Sequence, residues 1–571
     1  MSTPYDARPW LKYYSPGVPP EVDVPEVPLT RLLDNVARQH PRHTALIFLG
    51  SKITYRELRQ SVDRFALGLR KLGVDKGDRV AVILPNCPQE VIAFFAILRL
   101  GAIVVLHNPL YTVSELHHQL VDCGAKVAIT FDRVYEKLTA ARRGSRLEHV
   151  IVTSLIDYLP ATKRLALRLP LEKARELRGE LTVELPHDAE VHWFDDLLTT
   201  KRRRVRQAHV NPDRDLALLQ YTGGTTGRPK GAMLTHRNLV ANAYQTRAWD
   251  PRAEEVKEVS LAVLPLFHVF GLTTCLLTGV LLGGTLVLLP KYDLEMTLKA
   301  IKKWKPTLFF GVPPIYTQII ESPDLRKYNL RSIRTCISGA MRLPRETVER
   351  FQEAAGGHLV QGYGLTETSP VAIANPLAGN ARHVTVGIPM SSTEARIVDE
   401  NDANLIKPVG EAGELLIRGP QVFRGYWNQP EETADVLHFG WIRTGDVAMM
   451  SPDGYFTLID RKRDVIMVSG FSVFPSEIED VILEHPAVKD CAVIGVPDQY
   501  RGENVKAYVI LSPGHDLTTE ELKEHCARYL VAYKVPRLVE VREDLPRNML
   551  GKVLRRVLRE EHGAHSLSTL G

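Results

Sequence analysis

The sequence predicts an α/β protein with a large N-terminal domain of doubly wound α/β subdomains plus a β-rich subdomain, and a small mobile C-terminal α+β domain. Three observations carry this. The 571 residues exceed what one core holds and suggest about three to four domain-sized units. Over roughly the first two-thirds, short apolar runs alternate with helical patterns, as buried parallel strands and crossover helices do. From about Arg382 the pattern changes to strands broken by Gly, Pro and Asp, and a charged break, RKRD, then sets off the last 109 residues, 463 to 571.

Taken in order, DRVAVILP reads as a strand and EVIAFFAILRLGA as a helix. The rhythm continues through IVVLHNP, ELHHQLVDCGA and KVAITF, then HVIVTS, LALLQYT, TLFFG and RTCISGA. The apolar stretch Leu261 to Leu289 is punctuated by Pro265, His268, Gly279, Gly283 and Gly284. It therefore reads as strand (AVLPL), buried helix and strand (TLVLL), because a spanning helix needs about 20 apolar residues without such breaks. VGIPMSSTEARIVD, GELLIRGP and GYFTLID predict a β-rich subdomain over about 382–460. These boundaries give an N-terminal domain over 1–462 and a C-terminal domain over 463–571, in which EIEDVILEHP, CAVIGVPD, VKAYVIL, TTEELKEHCARYL and LVEVRE alternate helix with strand.

Composition excludes several classes. Hydrophobic residues make up 44% and charged residues 24%, as in globular proteins. The net charge of +5 is too mild for a dedicated nucleic-acid binder. The six cysteines lie far apart without a CxxC pair, which predicts buried thiols in a reducing compartment. The N-terminus has no apolar signal-peptide core, so a cytoplasmic location is expected. Basic charge is local. Six basic and two acidic residues lie between Lys163 and Arg178, and five of the six residues 201–206 are basic. A solvated surface loop is the plain reading of either run. Together with LALRLPL they predict weak peripheral contact with anionic lipid at the inner face of the membrane.

The sharpest feature is Tyr221-Thr-Gly-Gly-Thr-Thr-Gly-Arg-Pro-Lys-Gly231, which follows an apolar strand and precedes Met233-Leu-Thr-His-Arg-Asn-Leu, read as a helix start. Glycines let backbone N–H groups approach phosphate oxygens, hydroxyls donate hydrogen bonds, and Lys230 adds charge. A Walker A loop puts Gly before its Lys and Ser or Thr after it. Here Pro229 precedes and Gly231 follows, so a P-loop NTPase is a poor fit.

This loop resembles the phosphate loop of the adenylate-forming superfamily of acyl-CoA synthetases, luciferases and adenylation domains. Four further motifs match in the family's order: Tyr363-Gly-Leu-Thr-Glu-Thr368, Thr444-Gly-Asp446, Asp460-Arg461 and Gly551-Lys552. The resemblance covers about Thr54 to Leu558. It is closest to long-chain fatty-acid–CoA ligases through NPLYTVSELHHQL, YGLTET, DRKRDVIMVSGFSVFPSEIEDV and LVAYKVPRLVEV.

The resemblance implies a set of roles. Thr222, Gly223, Gly224, Thr225, Thr226, Gly227 and Lys230 would cradle the phosphates of ATP. Glu367, with Thr226, would hold Mg²⁺. Gly339 and Ala340 would border adenine, Tyr363 would stack on it, and Gly364 and Thr366 would be further nucleotide-binding positions. Asp446 would accept the ribose hydroxyls, with Arg461 beside it. Lys552 would bridge the substrate carboxylate and the α-phosphate, and His268 would lie near the acyl group. Arg463, two residues after Arg461, occupies the family's hinge position, usually Asp or Lys. Asn548 departs from the small hydroxyl residue common there. Read without the family, each has a bland alternative: a turn for TGD, a packed core residue for His268 and Tyr363, a solvated side chain for Glu367, Arg461, Arg463 and Lys552.

The implied reaction joins a medium- or long-chain fatty acid to AMP at the expense of ATP, then passes the acyl group to coenzyme A. Rival readings are an aryl- or coumarate-type CoA ligase, a fatty acyl-AMP ligase serving a carrier protein, a luciferase-like oxygenase, and a non-catalytic adenylate-binding sensor. Chain length, oligomeric state and pathway stay open; an oligomer is compatible with the sequence.

Overall fold

The computed structural model describes residues 3–186, 189–199, 205–222, 229–469, 471–498, 500–548 and 551–568. Among them lie four β-sheets. A seven-stranded sheet runs in the order His192–Trp193, His149–Thr153, Val127–Phe131, Arg79–Ile83, Ile103–Leu106, Leu216–Thr222, Lys230–Thr235, parallel except for the last strand. Its strands Arg79–Ile83, Ile103–Leu106 and Val127–Phe131 are almost wholly buried, because helices cover both faces. Between them Pro88–Arg99, buried along its whole length, starts with proline at its first turn.

A nine-stranded sheet packs beside it, with Leu308–Gly311, Thr335–Ser338 and His358–Gly364 parallel in its middle. Its edges are antiparallel: Ser51–Thr54 at one end, Val371–Ala374 and Ile388–Pro389 at the other. One continuous apolar core joins the two sheets. An antiparallel five-stranded sheet follows, built on Glu394–Val398, Ala412–Arg418, Trp441–Met450 and Phe456–Arg461. The C-terminal segment forms its own five-stranded sheet around Val488–Asp498 and Gly502–Leu511, with a separate core that includes Ile478, Val493 and Leu522.

Two expectations are corrected and one is sharpened. The helix start read in Met233-Leu-Thr-His-Arg-Asn-Leu is found, though only from His236. Lys230–Thr235 is a strand antiparallel to Leu216–Thr222, and the helix begins at His236, capped by the Thr235 hydroxyl on the Asn238 N–H. The glycine loop therefore joins two strands of a hairpin, with Thr222 and Lys230 paired across its base. The apolar run at 262–266 is strand only through Ala262, because Pro265 cannot continue a central ladder. Ile388–Pro389 pairs with the nine-stranded sheet, not with the β-rich one. The predicted buried thiols are found: all six cysteines are buried and free. Among the described residues no helix is long and apolar enough to cross a membrane.

Candidate active site

Strand ends and the loops after them converge on a cavity of about 480 Å³ between the nine-stranded sheet, the β-rich sheet and the C-terminal segment. Of the residues the sequence singles out, Thr222, Lys230, His268, Gly339, Ala340, Tyr363, Gly364, Thr366, Glu367, Arg461 and Lys552 all line it. Asp446 sits directly behind, 4% exposed. Gly223, Gly224, Thr225, Thr226 and Gly227 lie outside the described residues.

Each side chain has a local cause for its position. Gly339 ends the strand Thr335–Ser338, where a Cβ would come within 2.9 Å of the Phe270 ring. Gly364 closes His358–Gly364; a Cβ there would fall 1.9 Å from the Pro370 carbonyl oxygen, so only glycine permits the turn. That turn puts Glu367 in the short helix Thr366–Thr368 and aims its carboxylate at the Tyr426 hydroxyl, which donates to Oε1 at 2.7 Å. Asp446 is gripped on both oxygens. Tyr363 donates its hydroxyl to Oδ2 at 2.6 Å, and Arg461 Nε lies 2.8 Å from Oδ1. Asp446 and Arg461 face each other across paired strands, which fixes that ion pair.

Lys552 arrives from the C-terminal segment on a tight loop. The Asn548 side chain accepts the Lys552 N–H at 2.9 Å, and the Asn548 N–H donates to the Lys552 carbonyl at 2.9 Å. Gly551, at φ 80°, completes the turn. Asn548 thus closes the loop itself where the family commonly has a hydroxyl residue. Burial, with the neighbouring Arg461 charge, lowers the Lys552 pKa to about 8. Burial also drives His268 down to about 4, so its imidazole is neutral near pH 7. Its Nδ1 accepts the Phe270 N–H at 3.2 Å, capping the helical segment that follows.

Arg463 is exposed in the one-turn helix Lys462–Asp464, between the last strand of the β-rich sheet and the first of the C-terminal sheet. Before it, Lys462 Nζ is 3.2 Å from Glu414. After it, Asp464 pairs with Arg559 at 2.9 Å and Arg555 at 3.4 Å. Among the described residues, the bonds that cross this point include the Ser476 N–H on Asp460 at 2.8 Å, the Ser476 hydroxyl on the Ile459 carbonyl, the Val465 N–H on the Arg461 carbonyl at 3.2 Å, and the ion pairs of Arg555 with Asp460 at 3.6 Å and of Arg342 with Asp480.

Glu414, Tyr426, Glu432, Asp435, Arg443 and Lys462 also line the cavity, and the sequence reading missed them. The aromatic cluster Tyr426-Trp427 and Arg443 just before Thr444-Gly-Asp446 were the available signals. Glu432 gave none, since its partner Lys230 is 202 residues away. Next to this cavity, and reaching Gly551, lies a larger apolar one of about 1200 Å³, lined by Leu167, Leu264, Met296, Val312 and Ile315 among others.

Two doubly wound sheets, a β-rich sheet and a small C-terminal sheet around one polar cleft are the architecture of adenylate-forming enzymes. The anthranilate CoA ligase AuaEII in complex with anthranoyl-AMP superposes with a TM-score of 0.79 and 28% identity, covering 94% of this chain and 97% of that one. The chain belongs to the AMP-binding enzyme family, whose model matches residues 33–427, with the AMP-binding enzyme C-terminal domain matching 477–552. It is 42% identical to a long-chain-fatty-acid–CoA ligase of Bacillus subtilis (strain 168), over 97% of this chain and 98% of the relative. It is 39% identical to a long-chain-fatty-acid–CoA ligase of Yersinia pestis, with the same coverage of both chains.

Proposed function

We propose that the protein activates a medium- or long-chain fatty acid with ATP and transfers the acyl group to coenzyme A, releasing AMP and pyrophosphate. The observation that carries this is the meeting of Lys552, Lys230, Glu367 and the Asp446–Arg461 pair in one cavity, in a chain whose near-full-length relatives are long-chain-fatty-acid–CoA ligases.

In the first step a carboxylate oxygen of the acid bonds to the α-phosphorus of ATP as the bond to the bridging β-oxygen breaks. Such displacements depend on positioning and charge neutralisation. Asp446 takes the ribose hydroxyls and Tyr363 borders the adenine. Thr222, Thr225, Thr226 and the glycines between Thr222 and Arg228 take the phosphates with Lys230. Lys552 offsets charge between the carboxylate and the α-phosphate. Among the described residues, only Tyr426 bonds the Glu367 carboxylate, on Oε1, which leaves Oε2 as a donor suited to a hard cation such as Mg²⁺, which would neutralise polyphosphate charge. Replacing Glu367 with Gln should raise the magnesium concentration needed for half-maximal rate; an unmoved magnesium curve removes the residue from that role. In the second step the coenzyme A sulfur bonds to the acyl carbon, and the carbon–oxygen bond to AMP breaks. Neutral His268 and the apolar cavity beside it leave uncharged, mainly apolar surroundings for the acyl group.

The two steps call for different neighbours at one carbonyl. Arg463 supports a hinge between 1–462 and 463–571, because Lys462 before it is held by Glu414 of the β-rich sheet while Asp464 after it is held by Arg555 and Arg559 of the C-terminal helix Arg555–Ser568. Peripheral membrane contact also belongs to this reading. The helices Ala161–Ala166 and Glu172–Leu181 and the residues between them expose Leu165 (66%) and Leu171 (59%) beside Lys163, Arg164 and Arg168. Binding to anionic vesicles that fades with added salt is expected, and equal binding to neutral vesicles would refute it.

A panel of acids tests the function. Aliphatic acids of increasing length and a set of cinnamic acids, each with ATP and coenzyme A, should give thioester chiefly from the longer aliphatic members. Preference for the aromatic acids would transfer the chain to the aryl-CoA ligase reading.

A further inference from the structure

The cations around the cavity share a feature that the reaction makes unexpected. A site for a polyphosphate should offer free positive charge, yet most of it is already neutralised. Arg461 pairs with Asp446 at 2.8 Å, while Arg443 Nε and Lys462 Nζ lie 3.1 and 3.2 Å from Glu414. Lys230 pairs with Glu432. Among the described residues, Lys552 alone of the lysines and arginines lining the cavity forms no ion pair.

The pairing carboxylates are not alike. The side chains of Asp446 and Glu414 are 6% and 3% exposed, on strands of the β-rich sheet, and cannot leave without stranding a buried charge. The Glu432 side chain is 37% exposed, on the seven-residue helix Pro430–Val436. It can turn to water at small cost. Its partner Lys230 is 7% exposed, anchored in a strand, with Nζ 5.3 Å from the centre of the Tyr426 ring. Tyr426 in turn holds Glu367. One carboxylate is therefore replaceable, and it sits on the lysine at the base of the glycine loop.

We infer that Glu432 is an internal counter-ion for Lys230 that the polyphosphate of ATP displaces, and that returns as pyrophosphate leaves. The inference rests on the nucleotide reading of the cavity. It assigns Glu432 a positioning role. Without ligand the carboxylate keeps a buried ammonium paired. With ligand, phosphate oxygens take its place and like charges push the carboxylate towards solvent. Part of the affinity of Lys230 for phosphate is spent on that exchange, which weakens the hold on pyrophosphate and favours its release.

Calorimetric titration of the full chain with Mg·ATP, and separately with magnesium pyrophosphate, tests this. Glu432→Gln should bind both ligands about three- to tenfold more tightly than the parent, the scale of one partly exposed ion pair plus relieved repulsion. Lys230→Ala and the Lys230→Ala/Glu432→Gln double variant should bind alike within about twofold, because the effect runs through the lysine. Glu431→Gln, at the exposed neighbouring position, should match the parent. Unchanged or weaker binding by Glu432→Gln overturns the inference. So does an equal gain without Lys230, or an equal gain from Glu431→Gln, which would make the effect a matter of general charge. A parent chain that binds no ATP at all overturns the nucleotide reading and this inference with it.

Discussion

The floor of the cavity and the loop that carries Lys552 are built on opposite plans. On the floor the ionic groups named for the reaction are held by others: Asp446 between Tyr363 and Arg461, Glu367 by Tyr426, Lys230 by Glu432. Most of these sit on strand ends or in turns that the sheets fix. Lys552 comes from a separate sheet with its own core, on a loop closed by Asn548, and its ammonium has no ion-pair partner among the described residues. The difference teaches how labour is divided. On the proposed function, the floor would be preorganised to bind, and the loop would deliver one charge that is satisfied only when a reacting anion is present.

If that division holds, removing the delivered charge should harm one step and spare the other. Lys552→Ala should slow adenylation by about two to three orders of magnitude, the scale for loss of one electrostatic stabiliser. Thioester formation from supplied acyl-AMP should stay near the parental rate. Rapid-quench measurement of each half-reaction checks this, and equal loss of both would merge the two regions into one function.

Damage to the floor should instead appear in binding. Asp446→Ala should weaken ATP binding by about tenfold or more, since a buried acceptor is lost and Arg461 is left unpaired. It should also lower the melting temperature by several degrees, an effect Lys552→Ala should lack. Unchanged ATP affinity would reduce Thr444-Gly-Asp446 to a turn.

The smallest effect is the pH response. The Lys552 pKa lies lowered to about 8, against an ordinary value of 10.5, so the ammonium is lost as pH rises through about 8. If Lys552 has the proposed role, the reaction needs its charged form, and kcat/KM for ATP should fall above that pH, following one proton in the free enzyme. Lys552→Arg, whose guanidinium stays charged, should remove this alkaline limb at reduced rate. A limb that persists in the arginine variant belongs to another group.

Much of this molecule was legible in the chain. Apolar runs such as DRVAVILP and TLFFG had no other stable place than a covered parallel sheet, and the motifs marked Tyr363, Asp446 and Lys552 as members of one site. The hairpin after the glycine loop was not legible, because Met233-Leu-Thr fits a strand or a first helical turn equally well until Leu216–Thr222 offers it a ladder. Ile388–Pro389 was misplaced for the same reason: two residues carry no period, and pairing with Val371–Ala374 decides their sheet. Glu414 and Glu432 were invisible because a carboxylate's partner is set by tertiary approach, over 29 residues for Arg443 with Glu414 and 202 for Lys230 with Glu432.

The central claim is that one carbonyl is served in turn by two arrangements of these regions, exchanged at Arg463. Hinges act through φ/ψ at few positions, and proline fixes φ near −65°. Stopped-flow measurement of both half-reactions in Arg463→Pro tests the claim directly. The variant should keep fatty-acid-dependent pyrophosphate exchange within a few-fold of the parent while losing thioester formation from added acyl-AMP by about two orders of magnitude or more. Thioester formation at the parental rate would contradict it.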